Sequence, residues 1–432
     1  MSGMIRLARP GLALAIVAAV LAVPAGAAGA GRTAQVSGVP GLAGRAPTAY
    51  VSVVGSFRTA GRTVVPIATN TNKPGTPIRL GQTPGPIAIT PDGRTAYVVS
   101  FGSGQSTDGT VTPIATATNT PGKPIRAGIG TDEIAIIPDG KTVYVTNLVS
   151  GTVTPISTAT NTAGKAIRVG VRPQAIAVSP DGKTVYAVNQ GNSATGPSSV
   201  TPISTATGRP GKPIRVGNSP LAIAITPDGK TAYVANTGLF GGHTVTPIAT
   251  ATNKPGPPIK VGNSPFAIAI TPDSRTAYVA NSQSGTVTPI NTATNKPGPP
   301  IKVGSSPVAI AITPDGRTAY VVNEGSDTVT PINVATNRPG PPIKTGNNPS
   351  NIAITPGGAT AYVSDTRSDT VTPISTATNS PGKPIAVGTG PFSIAITPGT
   401  GAARRAASSS TALAARSCRP GLHGTCGFLS PW

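Results

Sequence analysis

The chain has 432 residues, a formal net charge of +21 and only 13 acidic residues and 2 histidines. That supply of acids, bases and metal ligands is thin, and it leaves little for chemistry that needs several convergent titratable groups. Gly (53) and Pro (48) are abundant, but they recur at fixed intervals among Ile, Val, Thr and Tyr, which is the pattern of turns between strands rather than of a disordered tract.

The N-terminus carries Arg6 and Arg9, an apolar run from Leu12 to Val23, and the small-x-small sequences Ala25-Gly26-Ala27 and Ala28-Gly29-Ala30. This is the make-up of a secretory signal peptide over residues 1–30, with an uncleaved anchor as the alternative. The expected location is secreted or associated with the cell envelope. No transmembrane span is expected after signal cleavage. Residues 31–46 read as a linker, residues 47–399 as repeats, and residues 400–432 as a flexible basic tail that holds both cysteines, Cys418 and Cys426. Removing Arg6 and Arg9, then the tail's Arg404, Arg405, Arg416 and Arg419, takes the charge from +21 to +19 and then to +15.

The repeat is marked by Tyr50, Tyr97, Tyr144, Tyr186, Tyr233, Tyr278, Tyr320 and Tyr362. A clean copy is PFAIAITPDSRTAYVANSQSGTVTPINTATNKPGPPIKVG, from Pro265 to Gly304. It divides into four short strands, xAIAIT, TAYVAN, TVTPI and PIKVG, with a PDG turn between the first two. Four strands in such a period predict an all-β fold, a β-propeller of four-stranded blades. Eight blades are expected, with the last strand, Ser393 to Thr397, completing the N-terminal blade; seven blades are the alternative. Each third strand contains a proline, from Pro66 to Pro373, which removes a ladder donor and predicts short, poorly paired fourth strands.

The segments SPDGKTVYAVN, TPDGKTAYVAN and IPDGKTVYVTN resemble the YVTN-type β-propeller repeat proteins and are similar to the secreted YncE-like group. The resemblance covers roughly residues 47 to 399. It implies a propeller and leaves function open, because more distant propellers include lactonases, lyases and quinoprotein dehydrogenases. The chain departs from the family pattern in its third strand, where proline is inserted and the usual Asp is absent.

The copies differ mainly in the loop between second and third strands, which is enlarged after Tyr50, Tyr97, Tyr186 and Tyr233. Insertions confined to one loop type mark one face of the disc. The ligand-binding candidates on it are Phe57, Arg58, Phe101, Asp108, Leu239, Phe240 and His243. Packing of each Phe over its own blade edge is the structural alternative. Glu324, Asp327, Asp365 and Asp369 are weak candidates for calcium, with solvated loop acids as the alternative; no other cofactor is expected. Six further acids, Asp92, Asp139, Asp181, Asp228, Asp273 and Asp315, sit in the PDG turns as turn formers. No catalytic residue is assigned. The expected function is a monomeric, non-enzymatic binding or scaffolding module. Its partner would be an anionic envelope polymer or an envelope protein, with nucleic acid disfavoured by the shortage of aromatics. The alternative is a propeller enzyme of lactonase or lyase type, with its site at the channel mouth near Asp132 and Glu133.

Overall fold

A computed structural model describes residues 46–55, 60–101, 108–191, 198–238 and 242–399. The described chain forms eight antiparallel sheets, one per repeat, and the architecture is an eight-bladed β-propeller. A single 3₁₀ turn, Glu324–Ser326, is the only helical element among the described residues, and no described helix is long and apolar enough to cross a membrane. The signal-peptide, linker and tail assignments lie almost entirely outside the described residues, as do Phe57, Arg58, Leu239 and Phe240.

Blades are numbered here in chain order by their tyrosine, so blade 1 contains Tyr50 and blade 8 contains Tyr362. The last strand, Pro391–Ile396, adds to Thr48–Gly55 as the innermost strand of blade 1, pairing Ala49 with Ile396, Tyr50 with Ala395 and Val51 with Ile394. The Thr48 amide donates to the Thr397 hydroxyl at 2.8 Å, and the Thr397 amide to the Thr48 carbonyl at 2.9 Å. Both described ends of the chain therefore close one sheet.

The Ile-Ala alternation has a packing cause. Period-two geometry sends alternate side chains to opposite faces of a blade. In blade 7, Ala309, Ala311, Tyr320 and Val322 pack against Ile352, Ala361 and Val363 of blade 8. Its other face, Ile310, Ile312, Ala319 and Val321, packs against Ala267, Ala269, Tyr278 and Ala280 of blade 6. A small-residue face with one tyrosine thus meets an isoleucine face at each boundary, and the cores repeat around the ring.

Seven of the eight boundaries are also clasped by polar groups. Tyr97 donates to Asn161 Oδ1 at 2.7 Å, Tyr233 to Asn295 at 2.6 Å, and Tyr362 closes the ring by donating to Asn72. The acceptor asparagine belongs to the turn after the third strand of the next blade, where it takes a left-handed φ near +55°. Asparagine serves both needs, because it tolerates that conformation and offers an amide oxygen. Blade 4 has Gly208 at this position (φ 64), and among the described residues Tyr144 has no such acceptor. Gly208→Asn is therefore expected to complete the clasp and stabilise the protein by about 0.5–1 kcal/mol. Calorimetry should read a small rise in Tm, and an unchanged or lower Tm would show that the clasp carries no net energy.

The third-strand prolines act as expected. The Pro66 carbonyl accepts from the Gly75 amide at 2.7 Å, and the same contact recurs from Pro113–Gly122 to Pro373–Gly382. In an antiparallel strand a residue's N–H and C=O point the same way, so the missing donor faces the fourth strand. That strand breaks there into two-residue pieces, Lys73–Pro74 and Ile78–Arg79 in blade 1. The glycine is required by the ring opposite it, since a Cβ on Gly75 would approach Pro66 Cγ to 3.2 Å. Blade 2 departs from this, with an outer strand lengthened to Ile125–Ile129 that pairs with Asp108 and Gly109.

Candidate active site

The first strand of each blade is innermost and carries a register shift at one place, between Pro265 and Ala267 in blade 6 and equivalently in the other seven. A bulge of this kind inserts one residue and re-aims its side chain. The eight inserted positions are Gly85, Asp132, Gln174, Leu221, Phe266, Val308, Ser350 and Phe392. They lie at the second-to-third and fourth-to-first loop end of the innermost strands, with the buried Leu221 and Val308 and the half-buried Phe266 as an apolar arc and Asp132 and Gln174, on neighbouring strands, as a polar one.

Blade 3 breaks the pattern most sharply. Where seven blades begin the first strand with proline, it reads Thr131-Asp132-Glu133. Glu133 is buried and its amide donates to Thr146 Oγ1 at 2.9 Å. Burial, reinforced by the charge of Asp132, raises the Glu133 carboxyl well above its ordinary range. Burial also pushes Asp132 up to about 7, against the opposing pull of the Arg172 guanidinium. Asp132 keeps an accessible edge while its Oδ2 is enclosed without a hydrogen-bond partner, and the buried Gln174 Oε1 next to it is likewise unpartnered. Arg172 lies on an exposed turn and is steadied by its Nε–H donating to Gln190 Oε1 at 3.0 Å. The pair therefore sets a deeply buried carboxyl of raised proton affinity next to one poised to exchange a proton near neutral pH, beside a fixed cation.

The other candidates are dispersed. Phe101 ends the second strand of blade 2 and packs edge-on against Phe392, ring centroids 6.5 Å apart, over the space left by Gly85. Asp108 is exposed at the start of a third strand, and His243 is exposed just before the third strand of blade 5. Glu324 Oε1 accepts from Asn348 Nδ2, Asp327 Oδ1 from the Asn348 amide, and Asp369 Oδ1 from the Gly390 amide. Asp365 is fully buried and accepts from Thr370 and Thr372. Glu324, Asp327 and Asp369 tie their second-to-third loops to the following fourth-to-first loops, Asp365 serves its own blade's third strand, and among the described residues no group of three or more His, Cys, Asp or Glu is placed to hold a metal.

Asp365 occupies the position of Asn147, Asn189, Asn236, Asn281 and Asn323, whose amides donate to the same threonine pair. Burial pushes it up to about 6. A carboxyl with a raised folded pKa destabilises the fold progressively as pH rises from about 4 through 6. Asp365→Asn should therefore stabilise the protein by about 1–2 kcal/mol at pH 8 and leave it unchanged at pH 4, as measured by urea unfolding.

A family model described as "Lactonase, 7-bladed beta-propeller" matches residues 268–383. Its blade number differs from the eight sheets of this chain. No curated protein matches the sequence. Among solved structures, the chain is similar to the dihydro-heme d1 dehydrogenase NirN (TM-score 0.67, 16% identity, 81% of this chain and 74% of that one). It is also similar to AztD from Citrobacter koseri (0.61, 12%, 81% and 98%) and to a Bacteroides fragilis protein assigned as a 6-phosphogluconolactonase (0.54, 18%, 83% and 99%). At these identities the structures speak for the propeller fold alone. The lactonase match corrects the expectation that the chain is not an enzyme: the poverty in His and Glu suggested no chemistry, yet a lactonase-type propeller model aligns with more than two blades.

Gln174 and Arg172 were not anticipated. Their signal is visible in the sequence, because the turn that reads Asn-Ser-Pro or Ser-Ser-Pro in other copies reads Val171-Arg172-Pro173 here.

Proposed function

We propose that the protein is an exported hydrolase of lactones or related esters, with its site at the channel mouth between blades 3 and 4. The observation that carries this reading is Asp132, a half-buried residue on a bulge of the innermost strand whose carboxyl is pushed up to about 7 by burial. A base with its pKa near the working pH combines a useful ionised fraction with useful strength. Ionised Asp132 takes a proton from a water molecule, and the water oxygen bonds to the lactone carbonyl carbon. The ring C–O bond then breaks, and the departing alkoxide takes up a proton, for which Glu133 is the protonated group at hand. The products are one hydroxyl and one carboxylic acid, so one water is consumed and nothing is oxidised. Arg172 offers a positive charge for the oxyanion. The apolar arc of Leu221, Phe266 and Val308 receives the hydrocarbon part of the substrate.

The test is proton release, followed by pH-stat, from a panel of five- and six-membered lactones with and without alkyl substituents. Turnover above the uncatalysed rate by the full chain supports the reading, and a panel without turnover across pH 6–9 removes it.

A further inference from the structure

We propose that the circumference of the propeller binds a flexible, phosphate-rich linear polymer. The basis is a segregation of charge that the fold makes visible. The fourth strands and the turns leading into them carry sixteen Lys and Arg residues and no carboxylate, as counted from the sequence over the eight blades. All sixteen are exposed. Every acid lies elsewhere, six in the first-to-second turns and seven on the face of the channel mouth. In the first-to-second turns the cations are neutralised locally, as in Arg94–Asp92 at 3.8 Å and Lys230–Asp228 at 3.3 Å. The girdle has no such partners on its own elements.

The spacing is imposed by the sheet. Each fourth-strand piece reads Ile-Arg or Ile-Lys, with the isoleucine buried and the cation outward. The pattern holds in seven blades, and blade 8 has Ala386 instead. Outer segments of adjacent blades lie against each other around most of the ring, so the cations form a belt rather than isolated points. Such a surface attracts a polyanion without reading its sequence. The described girdle has no aromatic side chain on which a base would stack, which favours a backbone of bare phosphates over a nucleic acid.

The experiment uses the full chain and inorganic polyphosphate of about one hundred units, with binding followed by calorimetry across a salt series. If about four phosphates are neutralised at once, affinity should fall roughly 50-fold between 50 and 200 mM salt. The variant carrying Arg79→Gln, Arg126→Gln, Arg168→Gln and Arg215→Gln should lose about half of the binding stoichiometry, because blades 5 to 8 keep Lys260, Lys302 and Lys344 on their fourth strands. A control carrying Arg94→Gln, Lys183→Gln, Arg275→Gln and Arg317→Gln, with the same charge change on the first-to-second turns, should bind as the parent does. Equal losses in both variants would reduce the effect to net charge and overturn the girdle. Tighter binding of single-stranded DNA than of polyphosphate would overturn the choice of polymer.

Discussion

Asp132→Asn is expected to lower kcat/KM for lactone opening by about 10²- to 10⁴-fold, the usual worth of a positioned base. The parent's rate should rise with pH through about 7 as Asp132 ionises, and the variant should lose that dependence. The same substitution should make the protein more stable in alkali. The folded carboxyl binds its proton more tightly than the unfolded one, so the cost of ionising it grows as pH passes from about 4 to about 7. With a shift from 3.8 to about 7, the gain at pH 8 is bounded at about 4 kcal/mol. Partial exposure of the residue reduces it to about half that. At pH 4 the two proteins should unfold alike. Activity lost and stability gained at one residue would separate a functional carboxyl from a structural one. A stability loss at pH 8 with activity retained would remove Asp132 from the site.

The second large effect concerns closure. Deleting Pro391–Thr397 removes the innermost strand of blade 1, with the buried Phe392 and Ile394 and the hydrogen bonds joining Thr48 to Thr397. Those two side chains alone contribute about 3–6 kcal/mol of burial. Ile394 also belongs to the core between blades 8 and 1, and Ala395 packs into the one between blades 1 and 2, so both interfaces open together. Whole domains are stable by only about 5–15 kcal/mol, so the deletion should leave no cooperative unfolding transition. Ile394→Ala tests the same point gently, with an expected cost of about 2–5 kcal/mol. A sharp, unshifted calorimetric transition in the deletion variant would mean that the ring does not depend on this strand.

Much of the architecture was legible in the residues. The period gave the blades, the PDG turns gave the hairpins, and the third-strand prolines announced the broken outer strand, because each of these effects is local. Blade number followed from counting first strands and noticing that the last one had no partners of its own. The site was less legible. Asp132 and Glu133 marked the alternative, enzymatic site in the sequence, but their significance depends on burial and on a bulge, neither of which a single copy reveals. Asp132 also gains its meaning from Gln174 and Arg172, which lie forty-odd positions away and become neighbours when two innermost strands lie side by side. The four acids at Glu324, Asp327, Asp365 and Asp369 show the converse. They share a face and adjacent blades, yet backbone amides of the facing fourth-to-first loops and threonine hydroxyls of the adjoining strand occupy them.

The missing clasp between Tyr144 and the turn at Gly208 acquires weight from its location. It falls between blades 3 and 4, the boundary that also holds Asp132 and Gln174. Elsewhere the wheel is fastened at its tyrosines; here one fastening is absent, at the end of the blades opposite the carboxyl pair. Opening of a ring begins at its least tied joint, and amide exchange should be fastest along that seam.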